Sequence, residues 1–294
     1  MAESFTYQAV SGFFELTEAP TGPAHRATTT PRLGLINRSY PTDVQFDPAN
    51  EKTQWERFIY FLEQQNKEEK GDAQYKLIFY IRHGEGFHNV KESQVGREAW
   101  DRVENHWSHL DGDGTSNWVD AFLTDKGKQQ AQSLNDFWRE SVQNLRIPVP
   151  QICYTSPHAR CLETTKIAYN GIHALESQDF KPIIKEMLRE RSGLHTCDRR
   201  RTRTWIANNY PEYDIEAGFS EEDELWSATE RETESDVEYR VKTLLDDVFS
   251  ASDASILSFT AHSGLIHGLH AITKHRDVWI APGAMVPLLI KVIR

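Results

Sequence analysis

The chain has 294 residues, 38% hydrophobic and 11% aromatic, enough apolar material for one large α/β domain or two small ones. A net charge of -11 and a pI near 5.6 exclude a general nucleic-acid binder, which needs surplus Lys and Arg, but allow a local cation cluster for a small phosphorylated ligand. Three scattered cysteines (Cys153, Cys161, Cys197) without a CxxC pair, a start without a basic-then-apolar leader pattern, and no bilayer-length apolar run fit a cytosolic or nuclear protein with no membrane partner.

Residues 1–74 read as an N-terminal extension. Pro20 to Pro41, rich in Pro and Thr, predicts extended or loop structure. Gln54 to Gln65 predicts an amphipathic helix packed on the domain, with Trp55, Phe58, Ile59 and Leu62 on one face and a break at Gly71-Asp72. Lys76 to Ile81 (KLIFYI) reads as a buried strand ending at Arg82-His83-Gly84. Asp111-Gly112-Asp113-Gly114 has the look of a calcium loop, but the sixth and twelfth positions are Ser116 and Phe122, so a turn is the reading. Asp125 to Leu145 follows as a helix, and Gln151 to Tyr154 as a strand. Thr155-Ser156-Pro157 then leads into a helix from about His158.

Pro182 to Lys185 is the third strand. Residues 190–232, an arginine run and then an acidic run, read as an irregular insertion over the sheet edge. Asp236 to Phe249 is helical. Ser255 to Thr260 is the fourth strand, ending at Ala261-His262-Ser263-Gly264 before another helix. Ala284 to Ile293 is the last strand, placed near an edge by Pro287. The alternation predicts an α/β fold, a three-layer α/β/α sandwich around an open, mostly parallel sheet. Ligands of such sheets sit at the carboxyl ends of strands, where the RHG, TSP and AHSG segments fall.

Transfer of a phosphoryl group from a monoester needs cations and N–H donors around its oxygens, an in-line nucleophile, and an acid for the leaving oxygen. A neutral imidazole can be that nucleophile without a metal, its other nitrogen held by a carbonyl. Arg82 and His83 adjoin at one strand end, and Gly84 admits close backbone approach. Arg160 follows the second strand, Glu190 the third and His262 the fourth. His262, His267 and His270 are spaced by five and three, unlike the i, i+4 pair of a zinc helix, so no metal is expected. The bland readings are a solvated arginine at 160, an arginine partner at Glu190, and a helix or turn cap at Asn89.

These residues carry a resemblance. Arg82-His83-Gly84-Glu85-Gly86 with Asn89, Leu123-Thr124-Asp125-Lys126-Gly127 with Gln130-Ala131, Thr155-Ser156-Pro157 with Arg160 and Thr164, Leu188-Arg189-Glu190-Arg191, and Ala261-His262-Ser263-Gly264 stand in order. Together they resemble the histidine phosphatase (phosphoglycerate mutase-like) superfamily, from about Tyr75 to the C-terminus. RHGEGFHNV, the segment Leu110 to Asp120, and His195-Thr196-Cys197-Asp198-Arg199-Arg200 are similar to its fungal and plant phosphomutase-like branch.

The resemblance implies a phosphoglycerate mutase-like fold over residues 75–294. It makes His83 the phosphohistidine, Glu190 the general acid, and Arg82, Arg160 and His262 the clamp on the phosphoryl oxygens. Asn89 adds a hydrogen bond to the phosphate. No metal or organic cofactor is implied, and oligomeric state is left open.

Dedicated mutases of this family carry a tyrosine in the acid loop, whereas this loop reads Glu190-Arg191-Ser192-Gly193. The expectation is therefore a phosphomonoester hydrolase acting on a small phosphorylated substrate. The alternatives are a phosphomutase of the phosphoglycerate mutase type and a non-catalytic phosphate-binding scaffold. Arg191, Arg199, Arg200, Arg201 and Arg203 are read as a solvated face or as a contact for a second anionic group on the substrate.

Overall fold

The computed structural model describes residues 5–69, 71–101, 106–176 and 180–294. The first four residues of the stretch read for a leader lie outside these. Strands are β1 (Thr6–Ala9), β2 (Arg26–Ala27), β3 (Ala73–Arg82), β4 (Ile152–Thr155), β5 (Ile183–Ile184), β6 (Asp214–Ile215), β7 (Ile256–Ala261), β8 (Trp279–Ile280) and β9 (Met285–Ile293). Helices are α1 (Asp43–Phe46), α2 (Gln54–Glu68), α3 (Phe87–Val95), α4 (Arg97–Asp101), α5 (Asp125–Asn144), α6 (Ala159–Tyr169), α7 (His173–Glu176), α8 (Arg203–Asn209), α9 (Glu234–Ala251) and α10 (Ser263–Thr273).

The apolar run in β3 becomes the sheet's centre because both of its faces are covered. Ile78 and Tyr80 pack with Val241, Leu244, Leu265 and Leu269 of α9 and α10. Leu77, Phe79 and Ile81, pointing the other way by the strand's period of two, pack with Trp55, Phe58, Leu134 and Trp138 of α2 and α5. Helices thus cover both faces, and the expected three-layer α/β/α sandwich is the observed architecture. The sheet runs β1-β9-β3-β7-β4-β5-β6. β3, β7, β4, β5 and β6 are parallel, and β9 is antiparallel to both of its neighbours.

Three features differ from the sequence reading. Residues 6–9 form an edge strand on β9, so β9 is not the outermost strand over its whole length. Four residues carry too short a pattern to read as a strand. Pro287 still lies where no strand pairs with β9 on its outer side, although the 29–34 segment covers it there. Val10 N–H donates to the Leu289 carbonyl on the β1 side, and Pro287 shares the parity of Leu289, so its missing N–H faces outward just past the end of β1. Second, the segment read as irregular holds α8 and β6, and β6 extends the sheet rather than covering its edge. Third, within the Pro/Thr-rich stretch β2 pairs with β8 and carries Arg26 to the mouth of the cleft described next. The Asp113 carboxylate accepts the amides of Thr115 and Ser116, which is the expected turn.

Candidate active site

Sheet register brings the motifs together. Arg82 pairs with Ala261 and Thr155 with Thr260, so the ends of β3, β7 and β4 lie side by side. The next residue of each strand is locked by one more ladder bond, His83 N–H to the Ala261 carbonyl and Ser156 N–H to the Thr260 carbonyl. The rings of His83 and His262 consequently stand 5.0 Å apart, centroid to centroid. A cleft of about 860 Å³ opens there, lined among others by Arg82, His83, Asn89, Arg160 and Glu190.

His83 Nδ1 lies 2.7 Å from the Gly84 carbonyl, which can only accept, so Nδ1 carries the proton and Nε2 keeps its lone pair. Burial, then the Arg160 and Arg82 guanidiniums, hold this imidazole well below its ordinary value near 6.5, hence neutral. The loop bearing it is fastened to the start of α5. A Cβ on Gly84 would collide with the Gly127 carbonyl, and one on Gly127 with the backbone of Glu85. Gln130 Oε1 accepts from Glu85 N–H, and Thr124, the N-cap of α5, donates to the Glu85 carboxylate. The glycine and glutamine of the LTDKGKQQA stretch therefore serve the histidine loop rather than the ligand.

Arg160 enters on the first turn of α6, whose Ala159 N–H is accepted by Asp120 Oδ1. It is buried, with Nε donating to His262 Nδ1 (3.2 Å), Nη1 to the Cys197 carbonyl (2.6 Å) and Nη2 to Asp198 (3.0 Å). Of its five N–H groups, two remain for an anion. Arg82 donates through Nη1 to the Ile280 carbonyl, while its buried Nε has no partner. Burial and the nearby Arg26 lower its pKa to about 10, still cationic at neutral pH. An orphaned guanidinium nitrogen at a cleft wall is the mark of a site built for an anion.

Glu190 sits at the start of α10. Its carboxylate accepts from Arg191 N–H (2.9 Å), Gly264 N–H (3.2 Å) and the Ser263 hydroxyl (3.4 Å). A Cβ on Gly264 would strike Glu190 Oε1, which accounts for the glycine of the AHSG segment. Arg240 of α9 fixes the loop from behind by donating to the carbonyls of Met187, Arg189 and Glu190.

Two predicted residues are placed differently from a simple phosphate clamp. His262 is fully buried and does not line the cleft. Arg160 Nε can only donate, so Nδ1 of His262 accepts, and Nε2 donates to Ser156 Oγ at 2.8 Å. His262 therefore stands behind Arg160. Asn89 lines the cleft, but its Oδ1 caps α3 by accepting from Gly86 N–H (3.0 Å), leaving Nδ2 for a ligand. This is the capping alternative weighed from sequence.

Of the arginine run, Arg191 alone lines the cleft. Arg200 is tied to Glu186 and to the carbonyls of Ser220, Glu221 and Glu222, and Arg201 to Asp120. Arg199 lies over Trp226. Arg26, Arg97 and Arg231 line the cleft instead, together with Glu92, Glu234 and Glu238. His88 and His158, buried within 5.5 Å of His83 and 4.9 Å of His262 respectively, were not assigned from sequence. Their places inside RHGEGFHNV and next to TSP were the available signal.

A family model described as histidine phosphatase superfamily (branch 1) matches residues 104–281. A probable phosphoglycerate mutase of Arthroderma benhamiae is 40% identical over 287 residues, covering 98% of this chain and 84% of that protein. Phosphomutase-like protein 3 of Candida albicans is 35% identical over 218 residues, covering 74% of this chain and 66% of that protein. A probable phosphoglycerate mutase of Saccharomyces cerevisiae is 29% identical over 311 residues, covering 97% and 96%.

Proposed function

The chain belongs to the histidine phosphatase superfamily, and from that premise we propose that it is a metal-independent phosphomonoester hydrolase in which His83 carries the phosphoryl group from substrate to water. One observation carries the reading. His83 is neutral, and its Nδ1 is committed to the Gly84 carbonyl, so Nε2 is a ready nucleophile in a cleft shared with Arg82, Arg160 and the Glu190 side chain.

In the first half-reaction the Nε2 lone pair bonds to phosphorus, the bond to the leaving oxygen breaks, and Glu190 gives that oxygen a proton. In the second, Glu190 takes a proton from water, whose oxygen attacks phosphorus and releases phosphate and neutral His83. The spare N–H groups of Arg82 and Arg160 meet the charge on the phosphoryl oxygens. His262 serves by holding Arg160 from behind, and Asn89 Nδ2 supplies one further donor. The substrate is a small phosphomonoester, and the mechanism calls on no cofactor, nucleic acid or membrane. The three buried, unpaired thiols support a cytosolic or nuclear setting.

The relatives' names favour a second reading, a phosphoglycerate mutase. The acid loop Glu190-Arg191-Ser192-Gly193, without tyrosine, speaks for water as the acceptor. The test is hydrolysis of p-nitrophenyl phosphate with chelator present. Wild type should turn over and form an acid-labile phosphoenzyme, and His83→Ala should lose turnover by about 10³-fold or more. Retained activity removes His83 as nucleophile. Phosphoglycerate isomerisation outpacing hydrolysis selects the mutase, and phosphate bound but never hydrolysed selects the scaffold.

A further inference from the structure

His267 and His270 are three residues apart on α10, so their rings project from one face of the helix. Lys274 then turns left-handed (φ 56), and the His275 amide closes back onto the His270 carbonyl at 2.8 Å. That reversal returns Asp277 to the two rings. One donor atom from each of His267, His270 and Asp277 lies within 4.8 Å of the others. Asp277 Oδ1 is hydrogen-bonded to His267 Nδ1 and stands 3.7 Å from His270 Nδ1.

A second observation concerns the nitrogens. His270 is 1% exposed, and its Nε2 meets the Tyr80 hydroxyl at 2.8 Å, while its Nδ1, on the Asp277 side, is buried without a hydrogen-bond partner. A hydrogen bond on the far nitrogen is how proteins orient a ligating imidazole. His275, its ring 4.8 Å from that of His270, repeats the pattern, with Nδ1 on the Arg276 carbonyl and Nε2 buried and unpaired. His270 Nδ1 thus makes no hydrogen bond although the Asp277 carboxylate stands 3.7 Å away, a gap that a bridging cation would fill.

We propose that His267, His270 and Asp277 form a binding site for a zinc-class transition-metal ion in the wall of the cleft, apart from the phosphoryl chemistry. Two imidazoles and one carboxylate suit such an ion, and three protein ligands leave positions open toward the cleft that all three residues line. As Nδ1 of a neutral His267 takes the ion, the ring keeps its single proton on Nε2, and Asp277 Oδ1 turns its lone pair to the ion. The other cluster of this kind among the described residues, His195, Cys197 and Asp198, is a poor host. Its Asp198 already faces Arg160 at 3.0 Å and Arg231 at 3.5 Å, so a dication would meet two guanidiniums.

The test is titration of the chelator-treated full chain with Co²⁺, read by visible d–d absorption, and with Zn²⁺, read by calorimetry. One equivalent per chain is expected. His267→Ala and Asp277→Asn, at partly exposed positions and checked for folding by Tm without metal, should each weaken binding by more than about tenfold. His195→Ala should leave it unchanged. No d–d band, a band that survives both variants, or binding lost with His195→Ala would overturn the site.

Discussion

Gly264 has no room for a side chain because Glu190 occupies the space a Cβ would take, held there by the Gly264 amide and the Ser263 hydroxyl at the start of α10. Gly264→Ala must push the carboxylate away from its seat, and misplacing a reacting group by about 1 Å costs on the order of 10²-fold in rate. Steady-state kinetics should show kcat falling by about that factor while KM moves little, since Arg82 and Arg160, proposed to hold the phosphoryl group, are untouched. An unaltered kcat would mean that the seat of Glu190 at the helix start is unimportant to the reaction. At the same scale, His262 shows why identity and placement are separate questions. Its position after β7 follows from the chain, whereas its role behind Arg160 follows from two hydrogen bonds, to Arg160 Nε and Ser156 Oγ.

Among the elements, α5 does two jobs. Its N-cap Thr124 and first-turn Gly127 fasten the His83 loop, and its middle anchors one face of the sheet. Trp138 is fully buried there, 5.4 Å from Phe79 of β3 and 5.9 Å from Tyr169 of α6. Trp138→Ala leaves a cavity beneath the central strand and should cost about 3–5 kcal/mol, measured by urea unfolding. A loss under about 1 kcal/mol would mean that the helix repacks freely. Other helices announce their starts in sequence. Thr53 with Glu56 and Thr233 with Asp236 form capping boxes at α2 and α9.

At the scale of the whole molecule, buried imidazoles shape the response to pH, four around the cleft floor with His270 and His275 lowered by burial beside them. His83, His88, His158 and His262 are all held well below 6.5, first by burial and next by Arg160. Unfolded, each takes a proton near 6.5, so below that pH the unfolded chain binds more protons and stability falls as pH falls. Each site contributes about 1.4 kcal/mol per pH unit until its folded pKa is reached. Tm should therefore drop steeply between pH 6.5 and 5, and a flat profile would show that these rings are not kept neutral. Composition, the strand–helix alternation and the order of the five motifs were legible from the chain alone, because hydrophobic period, turn residues and capping pairs are local properties. Strand neighbours were not, nor were the β1 edge, the β2–β8 pairing, the placement of Arg26 and Arg231 at the cleft, or the binding of Arg200 and Arg201 by carboxylates and carbonyls. Those depend on which distant segments meet, and ladder bonds and ion pairs form between groups whose separation in space their separation along the chain does not set.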